Sequence, residues 1–290
     1  MNIKSAVVLL SLLAFHLAHG DYHIRQVAEV ESGMSGLGEV VCGDTGHDSL
    51  QELSFYHGVQ GQLTWLWHIW EYRRMNWYEL VKSETCIGNP YPPQGMHKGR
   101  FHPTDIGDTD NDGLAEILGV NEEWFYSNTG DPSCLYDSVR VYLCLYESPG
   151  LGAYPDTLVW SYHYGTNVVI SPAAWFPGDL DRDGLKEIVF YDGQGYTRVF
   201  ESRGDNQNEQ VFIAPYHYYG YDYAFCDFDM DSARELAFAP VGPDYVYVFE
   251  CTGDDQYELT DSIFHWYPNG ADVFSGRDLD RDGKPVFYIV

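Results

Sequence analysis

The stretch Asp179-Leu-Asp-Arg-Asp-Gly-Leu-Lys-Glu187 decides the fold of this 290-residue chain. It places carboxylates at positions 1, 3, 5 and 9 around a glycine at position 6, and an apolar run follows it. Three further stretches align with it without gaps, beginning at Asp108, Asp227 and Asp278, and a weaker copy begins at Asp44. A pattern that recurs in this way along the chain indicates a repeat architecture.

Short apolar and aromatic runs surround each acidic stretch. Trp175-Phe176 precedes the stretch at Asp179, and Ile188-Val-Phe-Tyr191 follows it. A further strand-like run, which ends in an aromatic residue and a glutamate, recurs in the first four units, at Trp70-Glu71, Tyr146-Glu147, Phe200-Glu201 and Phe249-Glu250. Each unit therefore holds about four short strands, which is the content of a propeller blade. We predict one all-β domain, a β-propeller of four-stranded blades with about five units visible.

The composition limits the partners of the protein. The chain has 16 Lys and Arg against 44 Asp and Glu, for a formal net charge of -28. This charge argues against binding to nucleic acid or to anionic lipid, and it favours cations or neutral molecules as partners. A hydrophobic content of 44% predicts a packed globule rather than a disordered acidic chain.

The N-terminus has the order of features of a secretory signal peptide. Lys4 precedes an apolar run over residues 6–15, and small residues at Ala18 and Gly20 stand where a signal peptidase reads them. We predict a signal peptide over residues 1–20 and a mature domain over residues 21–290, with no membrane span, secreted or displayed at the cell surface. In an oxidising compartment the six cysteines could form up to three disulfides, and the sequence does not choose the pairing.

The acidic stretches have the donor spacing of a calcium loop. Side-chain oxygens at positions 1, 3 and 5, a backbone carbonyl at 7 and a carboxylate at 9 suit Ca²⁺, which takes 6 to 8 oxygen ligands. Without a counter-ion, carboxylates 4 Å apart repel by roughly 4 kcal/mol per pair at an effective dielectric of 20. An EF-hand is excluded because its glutamate stands at position 12 and a helix follows its loop. For the copy at Asp44 we predict a solvated turn, since Gly46 removes the ligand at position 3.

The unit of a strand, an acidic loop and a second strand recurs behind a signal peptide. Over approximately residues 38–290 this pattern resembles the FG-GAP/VCBS repeats of integrin-α-like β-propellers. Such propellers usually have seven blades, so the resemblance implies an open partial propeller or, the favoured interpretation, a C-terminally truncated fragment. It also implies a weaker last site, because Val286 stands where the family has a carboxylate. The implied metal ligands are Asp108, Asp110, Asp112, the Leu114 carbonyl and Glu116; Asp179, Asp181, Asp183, the Leu185 carbonyl and Glu187; Asp227, Asp229, Asp231, the Ala233 carbonyl and Glu235; and Asp278, Asp280, Asp282 and the Lys284 carbonyl.

No catalytic motif is present in the sequence, since nucleophile elbows, P-loops and His-Glu-x-x-His are all absent. We therefore expect a non-enzymatic binding or adhesion module with structural calcium and an extracellular protein or glycan as its partner. One alternative is a lectin-like propeller that stacks sugars on Tyr218 and Tyr219, within the aromatic tract 216–223. Another is a propeller-fold polysaccharide lyase or hydrolase. The adhesion-like tripeptide Arg203-Gly-Asp205 is interpreted as turn chemistry.

Overall fold

The computed structural model describes residues 7–10, 28–31, 34–59, 65–74, 77–85, 95–126, 138–166, 174–192, 195–214, 219–241, 245–264, 273–276 and 286–289. Every regular element in these ranges is a β-strand. No helix long and apolar enough to cross a membrane occurs in them.

The strands form four four-stranded sheets and two hairpins. The first hairpin pairs β1 (Val7–Leu10) with β2 (Ala28–Glu31). The first sheet holds β3 (Met34–Gly43), β4 (Glu52–Val59), β5 (Trp65–Arg74) and β6 (Trp77–Thr85), and the second holds β7 (Gly95–Gly107), β8 (Glu116–Tyr126), β9 (Ser138–Glu147) and β10 (Thr157–Thr166). The third holds β11 (Ala174–Gly178), β12 (Glu187–Tyr191), β13 (Thr197–Gly204) and β14 (Gln207–Ile213), and the fourth holds β15 (Tyr219–Cys226), β16 (Glu235–Val241), β17 (Tyr245–Gly253) and β18 (Gln256–Phe264). The last hairpin pairs β19 (Val273–Gly276) with β20 (Val286–Ile289).

The sheets are the blades of a β-propeller. Within each sheet the strands follow chain order and every neighbour is antiparallel. Neighbouring sheets also contact one another: β7 contacts both β3 and β11, β12 contacts β15, and β15 contacts β19. We call the four sheets blades 1 to 4; β19 and β20 follow them as a two-stranded fifth unit. The predicted all-β propeller of four-stranded blades is confirmed.

The hydrophobic core lies between consecutive blades. Leu118 and Leu143 of blade 2 pack in one cluster with Phe190 and Phe200 of blade 3, and all four are essentially inaccessible to solvent. Similar clusters join blades 1 and 2 and blades 3 and 4. Burying an aromatic or aliphatic side chain of this size stabilises a fold by about 1.5–3 kcal/mol. The side chains that hold the blades together are thus those of the strand runs recognised in the sequence.

The N-terminal hairpin and the cysteines bear on the predicted export. Strand β1 lies inside the predicted signal peptide, and the signal peptide stays a prediction. Cys42, Cys144, Cys226 and Cys251 are free thiols, so none of the possible disulfides involves these four residues. Their positions on separate strands are set by blade packing, which the cysteine count does not reveal. Cys86 and Cys134 lie outside the described residues.

Candidate metal sites in the acidic loops

Each acidic loop of the four blades connects the first strand of a blade to its second strand. We call residues 44–51, 108–115, 179–186 and 227–234 loops 1 to 4, after the blades that carry them. The glutamate at position 9 is in every case the first residue of the second strand, at Glu52, Glu116, Glu187 and Glu235. The sequence prediction that acidic loops join strands, rather than a strand and a helix, is therefore correct here. The predicted site at Asp278, Asp280, Asp282 and Lys284 lies outside the described residues.

Carboxylate oxygens hold the loop backbone in a tight curl. In loop 2, Oδ2 of Asp108 accepts from the amide of Gly113 at 3.2 Å, and Oδ1 of Asp112 accepts from the amide of Leu114 at 2.7 Å. Oε2 of Glu116 accepts from the amide of Thr109 at 2.7 Å. Loops 3 and 4 repeat the same three hydrogen bonds at the equivalent positions. The carboxylates at positions 1 and 9 each use one oxygen in these hydrogen bonds. The second oxygen of each is left for the interior of the loop.

The sharp reversal of the loops depends on two left-handed residues. Position 6 has a positive φ in loops 2 and 3, with 87° at Gly113 and 98° at Gly184, as its glycine predicts. Ser232 adopts the same conformation in loop 4, with φ of 86°. Position 4 is also left-handed, at Asn111 and Arg182 among others, and its varied residue types gave no signal of this in the sequence.

Replacing Gly113 with alanine should lower the free energy of unfolding by about 1–2 kcal/mol, because an L-residue in the left-handed region is strained. A Cβ on Gly113 would meet no atom within 4 Å, so the loss is conformational rather than steric. The matched control is Gly253→Ala, since that added Cβ makes only ordinary contacts with Gln256, from 3.7 Å. Urea unfolding of both variants measures the two losses of unfolding free energy. Equal losses in the two variants would contradict the prediction.

The carboxylates predicted as metal ligands converge in loops 2 and 4. One oxygen from each of Asp108, Asp110, Asp112 and Glu116 lies within 4.8 Å of the others in loop 2. The equivalent group in loop 4 is Asp227, Asp229, Asp231 and Glu235. Loop 1 also brings three carboxylates together, Asp44, Asp48 and Glu52, although it lacks an acidic residue at position 3. These acidic groups could hold a metal ion, and the roles of the carbonyls of Leu114, Leu185 and Ala233 stay predictions.

Each of loops 2 to 4 also buries carboxylate oxygens that have no hydrogen-bond partner. In loop 2 they are Oδ1 of Asp108 and Oε1 of Glu116, and the Glu116 side chain is fully buried. The same two atoms are unpartnered at Asp179 and Glu187 in loop 3 and at Asp227 and Glu235 in loop 4. A buried carboxylate oxygen without a partner is costly, because it has lost its water and gained nothing. A cation inside the loop would supply the partner that both oxygens lack.

The pKa values of the position-9 glutamates show the same shortage of positive charge. Burial, together with the nearby charges of Asp110 and Asp108, raises the pKa of Glu116 to about 8. Burial likewise raises the pKa of Glu187 to about 9 and that of Glu235 to about 7. A divalent cation would reverse these shifts, since it favours the ionised carboxylate.

A second glutamate faces each of these residues from the third strand of the blade. The register places Glu116 opposite Glu147 and Glu187 opposite Glu201, and blades 1 and 4 have the same pairing at Glu52 with Glu71 and Glu235 with Glu250. Glu201 is fully buried, and Arg203 forms an ion pair with it. The sequence marked these glutamates only as a repeat feature. Their recurrence after an aromatic residue was the available signal, but strand register was needed to place them beside the loops.

The other predicted contact residues have different outcomes. Tyr218 lies outside the described residues, as does the side chain of Tyr219, so the sugar platform stays a prediction. The guanidinium of Arg203, in the adhesion-like tripeptide, forms ion pairs with Glu201 and Asp255. That arginine is engaged within the propeller, as the turn interpretation implies.

Comparisons with known proteins give no family. No family model matches the chain, and no curated protein matches it. The alignment with the periplasmic gluconolactonase PpgL of Pseudomonas aeruginosa covers 93% of this chain and 77% of the gluconolactonase chain, at 12% identity and a TM-score of 0.42. The alignment with BBS1N, from a complex with ARL6DN soaked with lead, covers 89% of this chain and 78% of the BBS1N chain, at 11% identity and a TM-score of 0.37. At such TM-scores neither likeness carries a conclusion, and the propeller assignment rests on the sheet topology.

Proposed function

We propose that this protein is a secreted, calcium-binding β-propeller that acts as a non-catalytic binding or adhesion module, with calcium in a structural role. The observation that carries the proposal is the pair of buried, unpartnered carboxylate oxygens repeated in loops 2, 3 and 4. A site that offers more than four ligands, all of them oxygens, favours Ca²⁺ over Zn²⁺, which prefers four ligands that include nitrogen or sulfur. It also favours Ca²⁺ over Mg²⁺, which requires a rigid octahedral geometry.

A structural role follows from where the loops lie. Each one connects two strands of a blade, so a bound ion would fix the path between them and would contribute its binding free energy to folding. The rigid blades would then present their remaining loops to an extracellular protein or glycan. Export through the predicted signal peptide would bring the protein to a compartment with ample calcium.

Calcium binding by loops 2, 3 and 4 is tested by titration calorimetry of the whole protein. Asp112→Ala should weaken binding at one site by roughly 100-fold, because it removes a charged ligand, and so should reduce the measured stoichiometry by one ion. Asp183→Ala and Asp231→Ala should do the same for loops 3 and 4.

The matched control is Asp261→Ala, which removes one exposed carboxylate from strand β18, outside the loops. Its stoichiometry should equal that of the unmodified protein. If Asp112→Ala and Asp261→Ala have the same effect, the calcium loops are not the binding sites. If no calcium binds to the unmodified protein, the proposed function is wrong.

A further inference from the structure

Each of loops 2 and 3 is held by a turn that belongs to the following blade. The amide of Asn206, in the turn between β13 and β14 of blade 3, donates to Oδ2 of Asp110 in loop 2 at 2.8 Å. The amide of Asp255, in the turn between β17 and β18 of blade 4, donates to Oδ2 of Asp181 in loop 3 at 2.9 Å. The same contact therefore occurs at two successive blade junctions, and in both its acceptor is the carboxylate at position 3.

A basic side chain at position 8 makes a second connection between the same loops. Lys186 of loop 3 donates from Nζ to the carbonyl oxygen of Asp108 in loop 2. Arg234 of loop 4 donates from Nη1 to the carbonyl oxygen of Asp179 in loop 3 at 3.2 Å. Position 8 is Ala115 in loop 2, so no such cation reaches back from loop 2 to loop 1.

These basic residues sit within the ligand sets of their own loops. Lys186 lies between Leu185 and Glu187, two of the ligands proposed for loop 3. An ion bound in loop 3 would therefore fix the backbone on both sides of Lys186 and so fix where its ammonium group points. Arg234 lies in the same way between Ala233 and Glu235 in loop 4.

Docking of the turns brings further negative charge onto the loops. Oxygens of Asp110, Glu147 and Asp205 lie within 4.8 Å of one another where blade 3 meets blade 2. The junction of blades 3 and 4 has four carboxylates, Asp181, Glu201, Asp254 and Asp255, together with Arg203, which is paired with two of them. Before Lys186 and Arg234 are counted, these groups carry a formal charge of three negative at each junction. A cation in the loop would offset the repulsion that opposes docking of the next blade.

We propose that calcium binds cooperatively to loops of adjacent blades, with Lys186 coupling loops 2 and 3 and Arg234 coupling loops 3 and 4 as positioning residues. This inference rests on the proposed function, since it requires calcium in the loops. Binding in loop 3 orders Lys186, which holds the backbone of Asp108 in loop 2. Because coupling between sites is reciprocal, binding in loop 2 strengthens binding in loop 3 by the same factor. Loops 2 and 4 share neither connection.

The test compares pairs of sites in the full-length protein by calcium titration calorimetry. All variants carry Asp48→Ala and Asp282→Ala, which remove an acidic residue from loop 1 and from the predicted last loop. Adding Asp231→Ala then leaves loops 2 and 3 as an adjacent pair, Asp112→Ala leaves loops 3 and 4, and Asp183→Ala leaves loops 2 and 4. In each adjacent pair the second ion should bind about 5-fold or more tightly than the first, within the usual range of coupling between sites. The pair of loops 2 and 4 should bind its two ions independently.

Lys186→Met should abolish the coupling of loops 2 and 3 and leave that of loops 3 and 4 intact. Arg234→Met should abolish the coupling of loops 3 and 4 and leave that of loops 2 and 3 intact. For each variant, the pair of loops that stays coupled shows that the protein is still folded. Cooperativity that survives Lys186→Met, or that is equally strong between loops 2 and 4, overturns the inference. Calcium binding without cooperativity overturns this inference alone, whereas failure of every loop to bind calcium overturns the proposed function as well.

Discussion

Removing calcium with EGTA should lower the melting temperature of this protein by on the order of 20 °C. An ion present at about 100 times its Kd stabilises the folded state by about 2.7 kcal/mol, and three such loops together give about 8 kcal/mol. For a chain of this size each kcal/mol corresponds to about 2–4 °C. The loss is large because loops 2 to 4 would be left with buried, unpartnered oxygens such as Oε1 of Glu116. Differential scanning calorimetry with and without EGTA measures the shift.

Two controls make the result specific to the loops. The triple variant Asp112→Ala, Asp183→Ala and Asp231→Ala should melt at a low temperature whether or not EGTA is present. Adding Mg²⁺ to the chelated protein should restore little stability, since Mg²⁺ requires shorter bonds and octahedral geometry. An unmodified protein that melts at the same temperature in both buffers would show that calcium has no structural role.

Calcium should change both the sign of the pH dependence of stability and the pH range in which it occurs. In the metal-free protein the pKa of Glu116 is about 8, well above its ordinary value of 4.5, so the folded state holds this proton more tightly than the unfolded chain. The stabilising contribution of the protonated form is complete below the ordinary pKa and is lost as the pH rises towards 8. Between the two pKa values each such group changes stability by about 1.4 kcal/mol per pH unit, and Glu187, with a pKa of about 9, adds to the same slope.

With calcium bound, this slope should vanish above the ordinary pKa and take the opposite sign below it. Carboxylates that bind Ca²⁺ have depressed pKa values, so their contribution is complete above the ordinary pKa and is lost as the pH falls from there through the depressed value. Protons also compete with the ion for Glu116, which should weaken calcium binding as the pH falls below about 8. Urea unfolding between about pH 3 and pH 8, with calcium and on protein freed of metal with EGTA, measures both slopes. The variant Glu116→Gln, which cannot ionise, should show a shallower slope in EGTA, and parallel curves for the unmodified protein would rule out bound metal.

The interior of each loop could be predicted from the sequence because its geometry is local. The carboxylates of Asp108, Asp110, Asp112 and Glu116 lie within nine residues, and a glycine at position 6 accounts for the reversal. The left-handed conformation of Asn111 could not be predicted in the same way, since position 4 is occupied by a different residue type in each loop. The free thiols of the four described cysteines could not be predicted either, because pairing depends on distances between strands that are far apart in the sequence.

The sequence by itself determined the repeat, the four-stranded blades and the residues that line each acidic loop, because all three are written in short-range spacing. The tertiary structure alone decided what surrounds the loops. It placed Glu147 opposite Glu116 through strand register, the amide of Asn206 on Asp110 and the ammonium group of Lys186 on the backbone of Asp108. The physical reason is separation along the chain: Asn206 and Asp110 lie 96 residues apart, and they meet only because apolar packing sets blade 3 against blade 2.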